Sequence, residues 1–253
     1  MPRFFLPGAA GFTVGGELTL LPEDARHIAL SLRMAVGDAL IVSDGEGNDA
    51  CCRLESISPS SVSARVTEVR RGEGEPPLPI YLYMGYAKGD KIETVIQKAV
   101  ELGVSEVIPF FSSRCIRRPA GEKNARLGER YNKIAREAAG QCGRSRLPKV
   151  AEPLSFPDML KAATTADLAL FCYEGEGTEP LSRLLPAGRM PGSVAVVVGS
   201  EGGFSPEEAA AAAAAGCRLT GLGKRILRCE TAPLFALSCL AYVYDLGNIG
   251  KIE

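Results

Sequence analysis

Residues Val194–Val198 form an unbroken apolar run, VAVVV, followed at once by GSEGGF, then SPEE and a stretch of alanines. A run this β-branched, with no polar alternation, predicts a strand covered on both faces, the kind found in parallel sheets flanked by helices. Gly199, Gly202 and Gly203 allow positive φ or a close backbone approach. Ser205 is a good N-cap, Pro206 suits the first helical position, and Glu208 falls where a capping box places its carboxylate. The alanines continue a helix that Gly216 ends. Strand, glycine turn and helix in this order open a crevice at the carboxyl end of a sheet, where open α/β folds bind ligands. The turn carries Glu201 and no Lys, and neither GxxxxGK[ST] nor GxGxxG spacing is present, which argues against a polyphosphate or a dinucleotide. A ligand with hydroxyls or a positive centre fits better; a turn that merely connects strand to helix is the alternative.

A second glycine-bearing loop follows closely. CRLTGL, residues 217–222, predicts a short strand, after which Gly223 opens the loop KRILRCE. Thr231 is suited to cap a last helix, with Pro233 tolerated in its first turn. That helix, PLFALSCLAYVYDLG, is apolar nearly all round, so it must be buried inside its domain or against another subunit.

The rest of the chain divides into two compositions. From Ile80 onward, strands alternate with helices: IYLYMGY, a helix from Asp90 to Leu102, VSEVIPFF, helices around residues 125–139 and 157–163, and DLALFCYE. This predicts an α/β domain with a mainly parallel sheet. Up to about Val69 the chain reads instead as short strands with turns at VGD, DGEGN and SPSS, a small β-barrel. The Pro/Gly-rich stretch RRGEGEPPLP links the two, giving expected domains of 1–72 and 73–253.

Charge is unevenly placed. Between Ser112 and Lys149 there are eleven Lys and Arg against three Glu, although the whole chain carries a net charge of −1. A solvated helix explains part of the excess, since Glu129 and Lys133 are an ordinary i,i+4 pair. The unbalanced ends, SSRCIRRP and CGRSRLPK, predict contacts to nucleic-acid phosphates. The eight cysteines are scattered, with no CxxC and a single His, so reduced thiols are expected rather than disulfides or a metal site. No signal-like or membrane-spanning apolar stretch is evident, and a cytoplasmic location is expected. The lone His27 lies in the barrel-like part, which favours a structural or RNA-facing role over a general base.

Taken together, EAAGQCGRSRLP (137–148), VVGSEGGFSPEE (197–208) and LGKRILRCETA (222–232), with KGDKIETVIQKAVELGV (88–104) and LRMAVGD (32–38), resemble the ribosomal RNA small subunit methyltransferase E family of the SPOUT superfamily. The chain departs from the family pattern at Ser200, where Pro is usual, and at Cys229, where Thr is usual. The resemblance implies a PUA-like RNA-binding barrel, a trefoil knot near the carboxyl terminus and a homodimer. It also implies methylation of uridine N3 in 16S ribosomal RNA or the small ribosomal subunit, with S-adenosyl-L-methionine as cofactor and no metal. The expected cofactor contacts are Phe171, Tyr173, Gly199, Glu201, Gly202, Leu222, Gly223, Ile226 and Leu227. Arg228 is the expected catalytic residue, with Glu230 orienting it or accepting the proton. Arg33, Lys88, Arg114, Arg144, Arg146 and Lys149 are expected to meet RNA. Three alternatives stay open: a ribose 2′-O-methyltransferase of the same superfamily, a non-enzymatic RNA-binding assembly protein, and a dinucleotide oxidoreductase, which fits the α/β reading but lacks the fingerprint; within the methyltransferase reading, Cys142 is the candidate nucleophile of a uracil-C5 enzyme.

Overall fold

The computed structural model describes residues 1–9, 11–115, 122–185 and 190–246; of Glu122 and Lys123 it describes the backbone alone. Arg117 and Arg118, counted above in the basic segment, lie outside the described residues. The chain falls into two units, Met1–Glu75 with Arg136–Leu147, and Pro76–Ala135 with Pro148–Glu253.

In the first unit, β1 (Arg3–Phe5), β2 (Glu17–Thr19), β3 (Ala39–Ser43), β4 (Asn48–Ile57) and β5 (Val62–Arg71) form one sheet in the order β1-β3-β4-β5-β2. Only the β1–β3 pair is parallel. Among the described residues the expected small β-domain is this one sheet, with β1 and β2 as its end strands. Register shifts between Cys51 and Cys52 and between Leu54 and Ser56 bend the long β4–β5 ribbon. Alternate residues such as Cys52, Leu54, Ala64 and Val66 point into a core that also holds Phe4, Leu40 and Ile28. Helix α1 (Pro22–Arg26), continued as a π-helix over His27–Leu32, supplies Ile28 and was not foreseen from the sequence. His27 is exposed, its ring edge-on to Phe4 at 6.4 Å.

Segment 136–147 groups with this unit rather than with the rest of the expected 73–253 domain. Arg136 donates to the Phe5 carbonyl and to Asp24 Oδ2, both at 2.8 Å. Glu75 accepts from Arg144 Nη2 at 2.8 Å and from the backbone N–H groups of Ser145 and Arg146 at 2.9 and 2.8 Å. Arg144 is consequently 3% exposed, and it cannot meet RNA as expected: its guanidinium is a buried structural charge. Arg146 and Lys149 remain exposed.

The second unit is α/β. Its elements are β6 (Ile80–Gly85), α2 (Lys91–Glu101), β7 (Glu106–Phe111), α3 (Glu122–Cys142, whose last residues belong with the first unit), β8 (Lys149–Val150), β9 (Leu154–Ser155), α4 (Phe156–Ala163), β10 (Leu168–Cys172), β11 (Glu179–Pro180), α5 (Leu181–Leu184), β12 (Val194–Val198), α6 (Pro206–Ala214), β13 (Arg218–Gly221) and α7 (Thr231–Leu240). The sheet runs β11-β13-β10-β12-β6-β7-β8, with β9 also on β7, and every pairing is parallel. All of β12 is buried, as the VAVVV run predicts. Because β12 and β13 flank β10 on opposite sides, the chain crosses β10 between them. Beneath the sheet, Phe171 and Phe204 meet at 4.1 Å between ring centroids in a cluster with Phe110 and Phe156.

The capping box of α6 forms as expected, Ser205 and Glu208 each accepting from the other's backbone N–H. Helix α7 starts one residue earlier than expected, with Glu230 at the N-cap and Thr231 already helical. It buries Ala236, Leu237 and Leu240, while Phe235 on α7, and Tyr242 and Leu246 beyond it, are exposed. Among the described residues no helix is long and apolar enough to cross a membrane.

Candidate active site

Parallel pairing puts the carboxyl ends of β13, β10, β12 and β6 side by side, so the loops that leave them converge. They enclose a cavity of about 480 Å³, within the range of small-molecule sites. Its walls include Tyr173, Gly199, Glu201, Leu222, Gly223, Ile226, Leu227, Arg228 and Glu230, so most of the site residues expected from sequence come together. Two do not. Phe171 is fully buried, because the inward face of β10 packs it on Phe204 below the sheet's end, and it offers nothing to a ligand. Gly202 faces away from the cavity, packed against Arg114, whose Nη1 donates to its carbonyl at 3.0 Å. Ile226 lines the cavity while remaining 86% exposed.

The glycine turn is shaped by its neighbours. Gly203 has φ +60°, a conformation that strains any other residue, and a Cβ there would lie 2.6 Å from Glu174 Oε1 and displace that carboxylate. Ser200 takes the place where proline is usual in the family pattern. Its hydroxyl is buried with no hydrogen-bond partner among the described residues.

Lys91, the first residue of α2, joins the two walls. Its Nζ lies 3.1 Å from Glu201 Oε1 and 3.9 Å from Glu230 Oε2. Lys91 meets these residues only through the β6–β12 pairing, and its place in KGDKIE was the one available signal for it. Burial alone would raise the Glu201 carboxyl, but its own N–H, the Lys88 N–H at 3.0 Å and Lys91 outweigh that and hold it below the usual range. Glu230 is also held low, first by its own backbone N–H and then by the Cys229 thiol, which donates to Oε2 at 3.2 Å. Burial, followed by that hydrogen bond, pushes the Cys229 thiol up to about 12, so it stays protonated as a donor. Both carboxylates are therefore ionised near neutrality, and both face the Lys91 ammonium.

Arg228 is exposed on the cavity wall, and its guanidinium has no hydrogen bond or ion pair among the described residues. Among the described residues no hydrogen bond or ion pair joins Arg228 to Glu230, whose carboxylate meets Cys229 and Lys91, but the Arg228 charge also helps to hold that carboxyl low. Lys88 and Arg114 are exposed in this unit and Arg33 in the first. Cys142 is exposed at the end of α3 and does not line the cavity.

Residues 74–241 match the model of an RNA methyltransferase domain, and residues 20–67 that of an RNA methyltransferase PUA domain. Ribosomal RNA small subunit methyltransferase E of Bacillus subtilis is 36% identical over 228 residues, covering 88% of this chain and 89% of that protein. The protein of the same name from Synechocystis is 33% identical, covering 89% and 73%. Among solved structures, ribosomal RNA small subunit methyltransferase E of Neisseria gonorrhoeae bound to S-adenosyl methionine superposes with a TM-score of 0.86 at 30% identity, covering 96% of this chain and 98% of that one. A Legionella pneumophila structure with bound cofactor SAM gives 0.86 at 32% identity, covering 95% and 96%. The chain belongs to the ribosomal RNA small subunit methyltransferase E family.

Proposed function

We propose that the protein methylates N3 of a uridine in 16S ribosomal RNA, using S-adenosyl-L-methionine held in the cavity at the carboxyl ends of β13, β10, β12 and β6. The observation that carries this reading is Arg228, a guanidinium on the wall of that cavity with no hydrogen bond or ion pair among the described residues. A uridine N3–H lies roughly two pKa units above neutral, so ionising it costs about 2.7 kcal/mol at pH 7. A guanidinium beside the uracil oxygens offsets that cost by stabilising the anion.

The residues present fit the cofactor. Leu222, Leu227 and Val198 are apolar surface for an adenine, the Cβ-free turn at Gly203 admits close backbone approach, and the ionised Glu201 and Glu230 suit a positive centre. Tyr173, Gly199, Glu201, Leu222, Gly223, Ile226 and Leu227 would hold it, Ile226 through its backbone. When bound, the cofactor supplies a methyl group on a sulfonium. This chain's residues align the acceptor with it. Glu230, with its low pKa, acts by its charge and by fixing the RCETA loop rather than as a strong base, and the N3 proton is released to solvent as the stabilised anion forms.

The barrel-like unit and the exposed cations Arg33, Lys88, Arg114, Arg146 and Lys149 position the RNA through its phosphates. Residues 1–72 recruit RNA and residues 73–253 carry the chemistry, in the cytoplasm where ribosomes are assembled. The exposed apolar stripe Phe235, Tyr242 and Leu246 goes with a homodimer, and the strand order around β10 with a trefoil knot. The test is transfer of a tritiated methyl group to small subunits or 16S RNA, followed by nucleoside analysis. 3-Methyluridine is expected. A 2′-O-methylated nucleoside would replace this reading with a ribose methyltransferase, and no incorporation would remove the enzyme reading.

A further inference from the structure

Glu208 does more than cap α6. Its Oε2 accepts from the Ser205 N–H at 2.9 Å within the capping box, while Oε1 accepts from the Ser113 N–H at 2.7 Å, ninety-five residues away. The residue is 8% exposed and forms no ion pair among the described residues. A carboxylate withdrawn from water without a cation depends on such charge-assisted bonds. The neighbouring residue adds a second tie: Arg114 Nη1 donates to the Gly202 carbonyl at 3.0 Å, and a Cβ on Gly202 would lie 2.9 Å from Arg114 Cβ. The Ser112–Cys115 turn, closed by the Cys115 N–H to the Ser112 carbonyl at 3.2 Å, is thereby clipped at two adjacent residues to the glycine turn of the cavity wall.

We propose that Glu208 is a positioning residue that couples RNA binding to cofactor binding. Tied through Glu208, the Arg114 turn and the GSEGG turn shift as one body. RNA held by Arg114 then selects the arrangement of residues 199–203 that binds cofactor, and bound cofactor selects the arrangement that presents Arg114 to RNA, a linkage that must be reciprocal. The inference rests on the cavity being the cofactor pocket and on Arg114 meeting RNA.

The test uses the full chain, with S-adenosylhomocysteine as an unreactive probe of the pocket and purified small ribosomal subunits as the RNA ligand. Subunit binding is measured by retention on filters with and without saturating probe, and probe affinity alone by calorimetry. Wild type is expected to bind subunits tighter with probe present by a factor of about 5 to 150. Glu208→Gln, which offers an N–H where an acceptor is needed, brings that factor close to one while leaving probe affinity alone near wild type. Ser113→Pro removes the other end of the bond and keeps the capping box; proline suits the second position of a β-turn, so the fold is preserved. It should abolish coupling equally. Ser205→Ala loses the cap and melts earlier, yet keeps the coupling. Wild-type coupling in Glu208→Gln or Ser113→Pro overturns the inference, as does its loss in Ser205→Ala. If wild type binds probe and subunits independently, the inference fails and the proposed function stands; if it binds no probe, both fall.

Discussion

Replacing Arg228 by Ala should separate chemistry from folding and from cofactor binding. The guanidinium is exposed and unpartnered among the described residues, so its removal breaks no contact, and stability should stay within about 0.5 kcal/mol of wild type. The rate should not. If Arg228 brings N3 from roughly two pKa units above neutral into range, its loss costs up to about 2.7 kcal/mol at pH 7, near a hundredfold. That agrees with the roughly 10²- to 10³-fold loss expected when a preorganised donor to a developing anion is deleted. The deficit has a pH signature: as pH approaches about 9 the nucleobase ionises without help, and the variant should recover towards wild type. Initial rates of methyl transfer at saturating cofactor, from pH 7 to 9.5, read this directly, with calorimetry to show that cofactor affinity is kept. Arg228→Lys should be intermediate, since it keeps the charge without the planar fork. Wild-type turnover at pH 7, or a deficit that does not change with pH, would refute the reasoning.

Other consequences follow from the same geometry. Glu75→Gln leaves the Arg144 guanidinium buried without its carboxylate and should cost about 3–5 kcal/mol, read as a lower urea midpoint. Arg146→Ala and Lys149→Ala should leave that midpoint unchanged, weaken RNA binding, and each reduce the slope of log affinity against log salt by about 0.7 to 0.9. Ser200→Pro removes a buried hydroxyl that has no partner among the described residues and restricts the unfolded chain, so thermal melting should show a gain of about 0.4–1 kcal/mol. The Glu201 carboxyl is held below its ordinary pKa, so its contribution is present above the unfolded value of about 4.3 and is lost as pH falls through the folded value. Acid titration of the melting temperature should accordingly be shallower in Glu201→Gln than in wild type.

Much of this protein was legible locally. The VAVVV run specified a strand covered on both faces, Ser205 and Glu208 specified a helix start, and the spacing of GSEGG and GKRILRCE marked a crevice, because these depend on periodicity and on backbone chemistry within a few residues. The resemblance of ordered motifs along the chain pointed to the family. Which side of each motif a ligand meets was decided only by tertiary structure. Strand pairing buried Phe171 and turned Gly202 towards Arg114, while it brought Lys91 to Glu201 across more than a hundred residues. The basic segment shows the limit most clearly. Its composition counts cations, but Arg136 and Arg144 are spent on Asp24 and Glu75, partners distant in sequence. A charge becomes available to RNA only when the fold leaves it unpaired and wet. Sequence sets the residue types and their local conformation; desolvation and partnership arise where distant segments meet, and those determine which groups can act.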